Sequence, residues 1–177
     1  MAVREIRLFG DPVLKTVSDP VRQFDGKLKA LIDDLLDTTK LPGRAGVAAP
    51  QIGVNLRAFS YNVHGEVGYI INPVLIEASG ERQLVDEGCL SVPNLRGLVK
   101  RNVRVHVKAW DRHGNDIEHE IRGLTACTYQ HEVDHLDGLL FLDKVVDPST
   151  LTTWVSFNQF HHDAFVERAK ALVAKHG

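Results

Sequence analysis

The hexapeptide Gln-His-Glu-Val-Asp-His at positions 130–135 constrains the fold of this chain more than any other segment. Its two histidines, His131 and His135, are four residues apart, so on a helix they lie one turn apart on the same face. That arrangement lets two imidazoles bind one metal ion, and Glu132 can reach a metal-bound water without being a ligand itself. An exposed polar helix face is the alternative, but this helix is expected to be central, where buried imidazoles need partners. The segment therefore predicts a central helix that carries part of a metal centre.

The two histidines need a further ligand, because a catalytic metal typically has three protein ligands and one open position. Phe141 stands where the metzincin class of zinc proteases would need a third histidine, which disfavours that class. A downstream glutamate, Glu167, remains a weaker alternative ligand. Cys89 is the better candidate, because Gly88 permits close approach of the backbone and Glu87 can support a ligand from behind. One thiolate and two imidazoles, with water as the fourth ligand, suit zinc or ferrous iron.

A loop of small residues at Gly43–Gly53 is a further candidate element of the site. Small side chains allow a ligand to lie against the backbone, and Gln51 can offer an amide N–H to a developing oxyanion. Loops of this kind more often serve turn geometry alone. The loop by itself therefore leaves both interpretations open.

Hydrophobic periodicity predicts an α+β fold with mostly antiparallel strands around the central metal-binding helix and a helix near each end. The chain is expected to form a single domain over residues 1–177. The C-terminal helix is expected to pack through Trp154, Phe157, Phe160, Phe165 and Leu172. The predicted helices are Gly26–Lys40, Thr125–Leu136 and Leu151–Ala174; the predicted strands are Leu56–Val63, Gly68–Leu75, and a hairpin of Val103–Ala109 with Ile117–Ile121.

Composition excludes several other classes of protein. The 21 Lys and Arg residues nearly balance the 23 Asp and Glu residues, so bulk charge does not indicate a nucleic-acid-binding protein. Two cysteines, Cys89 and Cys127, exclude a disulfide framework and fit a reducing cytoplasm. No apolar run is long enough for a transmembrane helix, and the first residues lack the pattern of a secretory signal. A cytoplasmic protein without coiled-coil heptads, and thus a monomer by default, is expected.

Three segments in this order resemble the peptide deformylase family, which removes the formyl group from N-formylmethionyl chains. They are the glycine loop that ends in Ala-Ala-Pro-Gln at 48–51, Glu-Gly-Cys-Leu-Ser at 87–91, and Gln-His-Glu-Val-Asp-His at 130–135. Ile-Asn-Pro at 71–73 and Arg-Gly-Leu-Val at 96–99 add to the resemblance, which covers most of the chain. One departure is Arg44, which stands where the family often has a glycine.

The resemblance implies roles for individual residues. Cys89, His131 and His135 would be the ligands of one divalent metal ion. Glu132 would be the catalytic acid and base, and Gln51 together with the backbone N–H of Leu90 would hold the oxyanion. The ion would be Fe²⁺ in the first instance, with Zn²⁺, Ni²⁺ or Co²⁺ also compatible with the ligand types.

The resemblance also implies a substrate path and partners. Gly46, flanked by Val47, would contact the backbone of an N-formylmethionyl peptide or nascent chain, which could pair with an exposed strand edge. An apolar slot for the methionine side chain is expected from Val85, Leu90, Leu124 and Cys127. Arg96 is an exposed candidate for a substrate contact, whereas Arg101 is expected to be a solvated surface charge. The C-terminal helix could dock on the ribosome near the exit tunnel, although a solvated helix face is the simpler reading; no nucleic-acid specificity and no membrane contact are expected.

Two other functions stay open at this point. One is a different metallohydrolase, such as a zinc peptidase that uses His131, His135 and Glu167. The other is a non-catalytic relative that binds formylated or nascent chains. Glu132 and Gln51 argue against the second, because a pure binding protein has no need of a proton shuttle.

Overall fold

Two helices lie on opposite faces of a five-stranded antiparallel sheet, and a second, three-stranded sheet flanks them in the computed structural model of the chain. The structure describes residues 2–78 and 80–156, and then positions 158, 159, 163, 166, 167, 170, 171, 174 and 175. The helices are α1 (Gly26–Thr39), α2 (Gly123–Leu136) and α3 (Trp154–Ser156). The strands are β1 (Gly46–Ala48), β2 (Ala58–Val63), β3 (Glu66–Ala78), β4 (Arg82–Cys89), β5 (Val92–Asn102), β6 (Arg104–Trp110), β7 (Asp116–Arg122) and β8 (Thr152–Thr153). Short 3₁₀ turns occupy Pro12–Lys15, Ala49–Ile52, Phe141–Lys144 and Pro148–Thr150.

The sheet topology confirms the predicted α+β class. The larger sheet has the strand order β1-β2-β3-β6-β7, and each neighbouring pair is antiparallel. The smaller sheet has the order β4-β5-β8, also antiparallel. The predicted hairpin forms as β6 and β7, which are joined through a turn at 111–115.

Helix α1 covers one face of the larger sheet. Asp25 begins the helix, since its carboxylate accepts hydrogen bonds from the backbone N–H groups of Lys27 and Leu28. The helix ends at Thr39, one residue before the predicted end. Its apolar stripe packs against side chains from β1, β2 and β3; the buried residues are Leu28, Leu31, Ile32 and Leu35 on the helix and Val47, Ala58 and Ile71 on the strands.

Helix α2 covers the opposite face, which confirms its predicted central position. Successive side chains of a strand point to opposite faces, so the neighbours of the residues beneath α1 contact α2. This second cluster includes Ala126, Tyr129, Val133 and Leu136 on the helix and Ala48, Phe59 and Ile70 on the strands. The helix ends before Gly138, which has φ +73°, and a Cβ there would lie 2.9 Å from the backbone carbon of Lys15. Only glycine fits this turn.

The hairpin of β4 and β5 was not predicted from the sequence. The expectation around Cys89 was a short polar segment, whereas β4 pairs with β5 from Arg82 to Cys89. Charged residues and glycines on both strands hide the alternation that identifies a strand. The predicted loop over Gly43–Gly53 likewise contains β1 and a 3₁₀ turn. A third apolar cluster involves the hairpin and consists of Leu14, Val92, Val99, Leu140 and Phe141.

A C-terminal helix is present but begins later than predicted. Residues Thr152–Thr153 form β8, and the helical conformation starts at Trp154. Positions 163, 166, 167, 170, 171, 174 and 175 are also helical. The predicted packing of Phe157, Phe160, Phe165 and Leu172 lies outside the described residues. Within the described part of the chain, none of the helices combines the length and apolarity needed to cross a membrane.

Asn72 anchors the segment before α1 to β3, and its replacement by alanine should destabilise the fold. Its side chain accepts a hydrogen bond from the N–H of Val21 and donates one to the C=O of Val21, both at 2.8 Å. Asn72 also has a φ of +49°, a left-handed backbone conformation that alanine tolerates poorly. We expect Asn72→Ala to lower the free energy of unfolding by about 2–3 kcal/mol in urea titrations.

Asn94 provides the matched control, because it is exposed and also has a positive φ, of +66°. Asn94→Ala should cost only the backbone term, about 1 kcal/mol. Equal losses in the two variants would contradict the role given to the Asn72 side chain.

Candidate metal centre and active site

Three metal-binding side chains from two distant parts of the chain converge at one point. Cys89 lies at the end of β4, and His131 and His135 lie one turn apart on α2. The Sγ of Cys89 is 3.4 Å from the Nε2 of His135, which is 3.2 Å from the Nε2 of His131. The three donor atoms all lie within 4.8 Å of one another. The donor set predicted from the sequence is therefore brought together.

These separations fit a single tetrahedral metal ion. Bonds of about 2.3 Å to sulfur and about 2.0–2.1 Å to nitrogen place S and N about 3.6 Å apart and two nitrogens about 3.3 Å apart. The observed 3.4 Å and 3.2 Å are close to both values. One thiolate and two imidazoles occupy three positions and leave the fourth for a water or a substrate oxygen. The residues present therefore fit a catalytic metal ion.

Glu87 orients His131 from behind. Its Oε1 hydrogen-bonds the Nδ1 of His131, and its two oxygens accept bonds of 2.7 Å and 2.9 Å from Arg101. Burial would raise the pKa of Glu87, but the hydrogen bonds from His131 and Arg101 lower it to about 2. An ionised carboxylate only accepts, so Nδ1 of His131 carries the proton and Nε2 presents its lone pair to the metal position.

Arg101 connects the cysteine-bearing hairpin to the histidine-bearing helix. Besides the two bonds to Glu87 on β4, its Nη1 donates to Asp134 on α2 at 2.6 Å. The Arg101 side chain is 2% exposed, so this is a buried ion-pair network. Lys144 reaches the other oxygen of Asp134 at 2.8 Å. The network fixes β4 relative to α2, and thereby Cys89 relative to the two histidines.

Glu132 has its carboxylate next to the backbone of Gly46. A Cβ at position 46 would lie 2.5 Å from Oε1 of Glu132, so only glycine leaves room for this carboxylate. Oε2 is buried and has no hydrogen-bond partner among the described residues. Burial raises the pKa of Glu132 to about 7 in the field of the protein groups. The glycine loop thus passes beside the site at Gly46, and two residues earlier Arg44 donates to the C=O of Thr38 on α1 at 2.9 Å.

Gln51 directs its amide nitrogen toward the metal ligands. The N–H of Ala48 donates to Oε1 of Gln51 at 2.9 Å, which identifies that atom as oxygen and turns Nε2 the other way. Nε2 lies 3.2 Å from Oγ of Ser91 and 3.7 Å from Sγ of Cys89. Ser91 had been given no role from the sequence. Its buried hydroxyl, two residues after Cys89, holds the amide of Gln51 in place.

Three of the residues predicted to form the apolar slot, Val85, Cys127 and Leu124, lie on β4 and α2. Gln83 and Glu87 both contact α2, so Val85, midway between them, lies on the same face of β4. Sγ of Cys127, one turn before His131 on α2, accepts a hydrogen bond from Nε2 of Gln83 at 3.5 Å. Leu124 lies at the start of α2 and is 52% exposed.

Two other residues predicted to meet the substrate have side chains that pack beneath α1. The Leu90 side chain packs against the cluster beneath α1, and that of Val47 is buried in the same cluster. The Val47 side chain is thus enclosed, whereas that of Leu90 is partly buried.

Both arginines that were expected at the surface are buried. Arg101 belongs to the network described above, and Arg96 is 8% exposed. Arg96 Nε donates to Asp86 on β4 at 2.8 Å, and its guanidinium lies over the ring of Trp154. The error arose because the β4–β5 hairpin, whose pairing supplies these carboxylates, was not predicted.

Glu167, the alternative third ligand, does not belong to the site. It pairs with Lys170 at 2.8 Å, and both side chains are exposed. The group of metal donors found among the described residues contains Cys89 instead. The zinc-peptidase interpretation that depended on Glu167 is therefore wrong.

Comparisons with known proteins agree with this geometry. The family profile described as polypeptide deformylase matches residues 3–150. A peptide deformylase of Acidothermus cellulolyticus is 51% identical over 148 residues, which cover 84% of this chain and 81% of that protein. One from Parafrankia sp. is 49% identical over 146 residues, which cover 82% of this chain and 80% of that protein.

A solved structure leads to the same conclusion. The crystal structure of peptide deformylase from Thermotoga maritima is 37% identical in sequence and has a TM-score of 0.80, covering 83% of this chain and 100% of that one. The chain therefore belongs to the peptide deformylase family, the metal-dependent hydrolases that remove the formyl group from the N-terminal formylmethionine of newly synthesised polypeptides.

Proposed function

We propose that the chain performs this deformylation at one divalent metal ion held by Cys89, His131 and His135. Glu132 moves the proton, and Gln51 with the Leu90 N–H binds the oxyanion. The observation that carries the proposal is the convergence of one sulfur and two ring nitrogens within 4.8 Å, with the Glu132 carboxylate and the Gln51 amide beside them.

A divalent ion held by Cys89, His131 and His135 would lower the pKa of a bound water and polarise the formyl carbonyl. Glu132 accepts a proton from the water as the water oxygen attacks the formyl carbon. Glu132 then delivers that proton to the amide nitrogen of the substrate as the C–N bond breaks. The products are formate and a peptide with a free N-terminal amine. The unpartnered Oε2 of Glu132 is the atom available for both transfers.

Gln51 and the Leu90 backbone stabilise the charge that develops on the formyl oxygen. The Gln51 amide is already oriented by Ala48 and Ser91, so it needs no reorganisation when the oxyanion forms. Loss of one such donor typically raises the barrier by about 2.7–4 kcal/mol.

The peptide substrate lies between two strand edges. In the sheets formed by the described residues, β1 and β4 are both edge strands. Pairing of a peptide backbone with Gly46 and with the Val85 segment would fix the first residue and tolerate varied residues after it. Val85, Leu124 and Cys127 line the methionine slot, whereas the backbone of Val47 flanks the peptide. Arg96, held by Asp86 and Trp154, supports the hairpin rather than contacting the substrate.

We favour Fe²⁺ as the metal, with Zn²⁺, Ni²⁺ and Co²⁺ as compatible substitutes, because a thiolate with two imidazoles accepts all four. A cytoplasmic location is part of the proposal, since both cysteines are free and a thiolate ligand oxidises readily. Docking of the C-terminal helix on the ribosome is a further part, to which the exposed Lys170 and Lys175 could contribute.

The two cysteines provide a matched test of the metal centre. Cys89→Ala should lose the bound metal, because it removes one of three protein ligands. Cys127→Ala should retain the metal, since its sulfur contacts Gln83. Metal content after anaerobic purification is the measurement. Retention of a full equivalent of metal by Cys89→Ala would contradict the proposed ligand set.

Glu132 and Glu167 provide a matched test of the chemistry. Glu132→Gln should keep the metal but release formate from a formyl-Met peptide about 10²–10⁴ times more slowly, because the proton shuttle is gone. Glu167→Gln changes an exposed residue and should leave turnover unaltered. The mechanism is wrong if Glu132→Gln reaches the parent rate.

The identity of the metal is tested by exposure to air. The iron form should lose activity on prolonged aeration, because a thiolate next to ferrous iron oxidises readily. The zinc form should keep the rate of formate release that it had before aeration. Equal stability of both forms, assayed as formate release over time, would argue against Fe²⁺ as the native ion.

A further inference from the structure

The chain segment that crosses the end of the family match at residue 150 runs along the hairpin that carries Cys89. We call residues 145–154 the C-terminal strap. Val146 donates to the C=O of Leu98 at 3.0 Å, and the Leu98 N–H donates to Thr150 Oγ1 at 3.2 Å. Farther along, Thr152–Thr153 adds to β5 as a third strand. The strap is thus bonded to β5 on the side opposite β4, and it ends at Trp154.

Trp154 packs against the strand position that precedes the sulfur ligand. A Cβ at Gly88 would lie 3.4 Å from Cζ2 of Trp154 and 3.2 Å from the C=O of Leu95. The guanidinium carbon of Arg96, the residue paired with Gly88 across the hairpin, lies 3.9 Å from the centroid of the Trp154 ring. The indole therefore covers the Gly88–Arg96 pair.

This contact lies directly behind the metal centre. Side chains alternate along a strand, so Glu87 and Cys89 share the face of β4 that meets α2. Asp86 and Gly88 share the opposite face, where Asp86 pairs with Arg96. Trp154 therefore supports the back of β4 at the point where the front presents the sulfur ligand and the carboxylate that orients His131.

The hairpin needs support there because its ladder is irregular. Gly88 pairs with Arg96, but the next residue, Cys89, pairs with Val92, so three residues of β5 are skipped. Regular cross-strand hydrogen bonds do not continue through Cys89. Contacts from outside the hairpin must then fix its backbone.

We infer that Trp154 is a positioning residue for the Cys89 thiolate and that the strap thereby slows metal loss. The inference rests on the proposed metal centre. It assigns a role to a residue outside the 3–150 region that the family profile matches. Removal of the indole frees the Gly88–Cys89 backbone, so the sulfur leaves its tetrahedral position more often.

The test measures zinc dissociation from the full chain. Zinc-loaded Trp154→Ala, Trp154→Phe and Trp110→Ala proteins are mixed with an excess chromogenic chelator. We expect Trp154→Ala to release zinc about 10–100 times faster than the parent, as for other partners that orient a ligand. Trp154→Phe keeps an aromatic ring over Gly88, so it should release zinc at close to the parent rate. Trp110 is also a partly exposed tryptophan and pairs with Asp116 far from the strap, so Trp110→Ala should match the parent.

Two spectroscopic readouts separate positioning from loss of stability. With Co²⁺ in place of zinc, Trp154→Ala should shift or weaken the thiolate-to-metal charge-transfer absorption, which general destabilisation of a folded protein does not change. In the metal-free proteins, Cys89 of Trp154→Ala should be alkylated faster than Cys89 of Trp110→Ala.

Zinc release within twofold of the parent, with an unchanged cobalt spectrum, would overturn the inference. Equal acceleration by Trp110→Ala would also overturn it. Failure of the parent chain to bind one equivalent of zinc would instead reject the proposed metal centre, so the two failures are distinguishable.

Discussion

The buried guanidinium of Arg101 joins the two parts of the chain that the metal centre requires. Cys89 comes from a hairpin of the smaller sheet, and the histidines come from a helix packed on the larger sheet. Arg101 bonds to Glu87 on the hairpin and to Asp134 on the helix. Among the described residues, its removal would leave Glu87 with only His131 and Asp134 with only Lys144 as partners, and breaking a buried ion pair typically costs about 3–5 kcal/mol. Arg101 therefore helps to set the position of the sulfur ligand relative to the two nitrogen ligands.

The same ion-pair network also determines which ring nitrogen of His131 carries the proton. Hydrogen bonds from His131 and Arg101 lower the pKa of Glu87 against the effect of burial, and the ionised Glu87 holds the proton of His131 on Nδ1 and leaves Nε2 available to a cation. Packing of α2 against Ala48, Phe59 and Ile70 fixes the position of the helix on the sheet. On the opposite face of β4, Trp154 and Arg96 support the backbone next to Cys89. Ion pairs thus stabilise the face of β4 that meets α2, and the Trp154 ring packs against the opposite face.

Local patterns in the sequence predicted the parts of the site that depend on spacing. The helical period alone places His131 and His135 on one face, and Gly88 and Glu87 distinguished Cys89 from Cys127. The fold class and the central helix followed from periodicity and are confirmed. Arg101 and Arg96 were misjudged because their partners lie on another strand or helix, and a charge is recognised as buried only when that partner is known.

The β4–β5 hairpin was missed for a related physical reason. Its residues alternate poorly because both faces are covered, one by α2 and the other partly by Trp154. Pairing in space, rather than hydrophobic pattern, keeps Asp86, Glu87 and Arg96 inside. Ser91 was overlooked because a serine two residues after a cysteine carries no distinctive signal. Its function depends on Gln51, forty residues away in the chain.

The central claim is that one sulfur and two imidazole nitrogens bind the same ion. X-ray absorption spectroscopy of the zinc-loaded chain tests it most directly, because sulfur and nitrogen scatter distinguishably at different distances. The account predicts one sulfur at about 2.3 Å and two imidazole nitrogens at about 2.0–2.1 Å, with a further light atom completing four-coordination. A zinc shell made only of nitrogen and oxygen would contradict it.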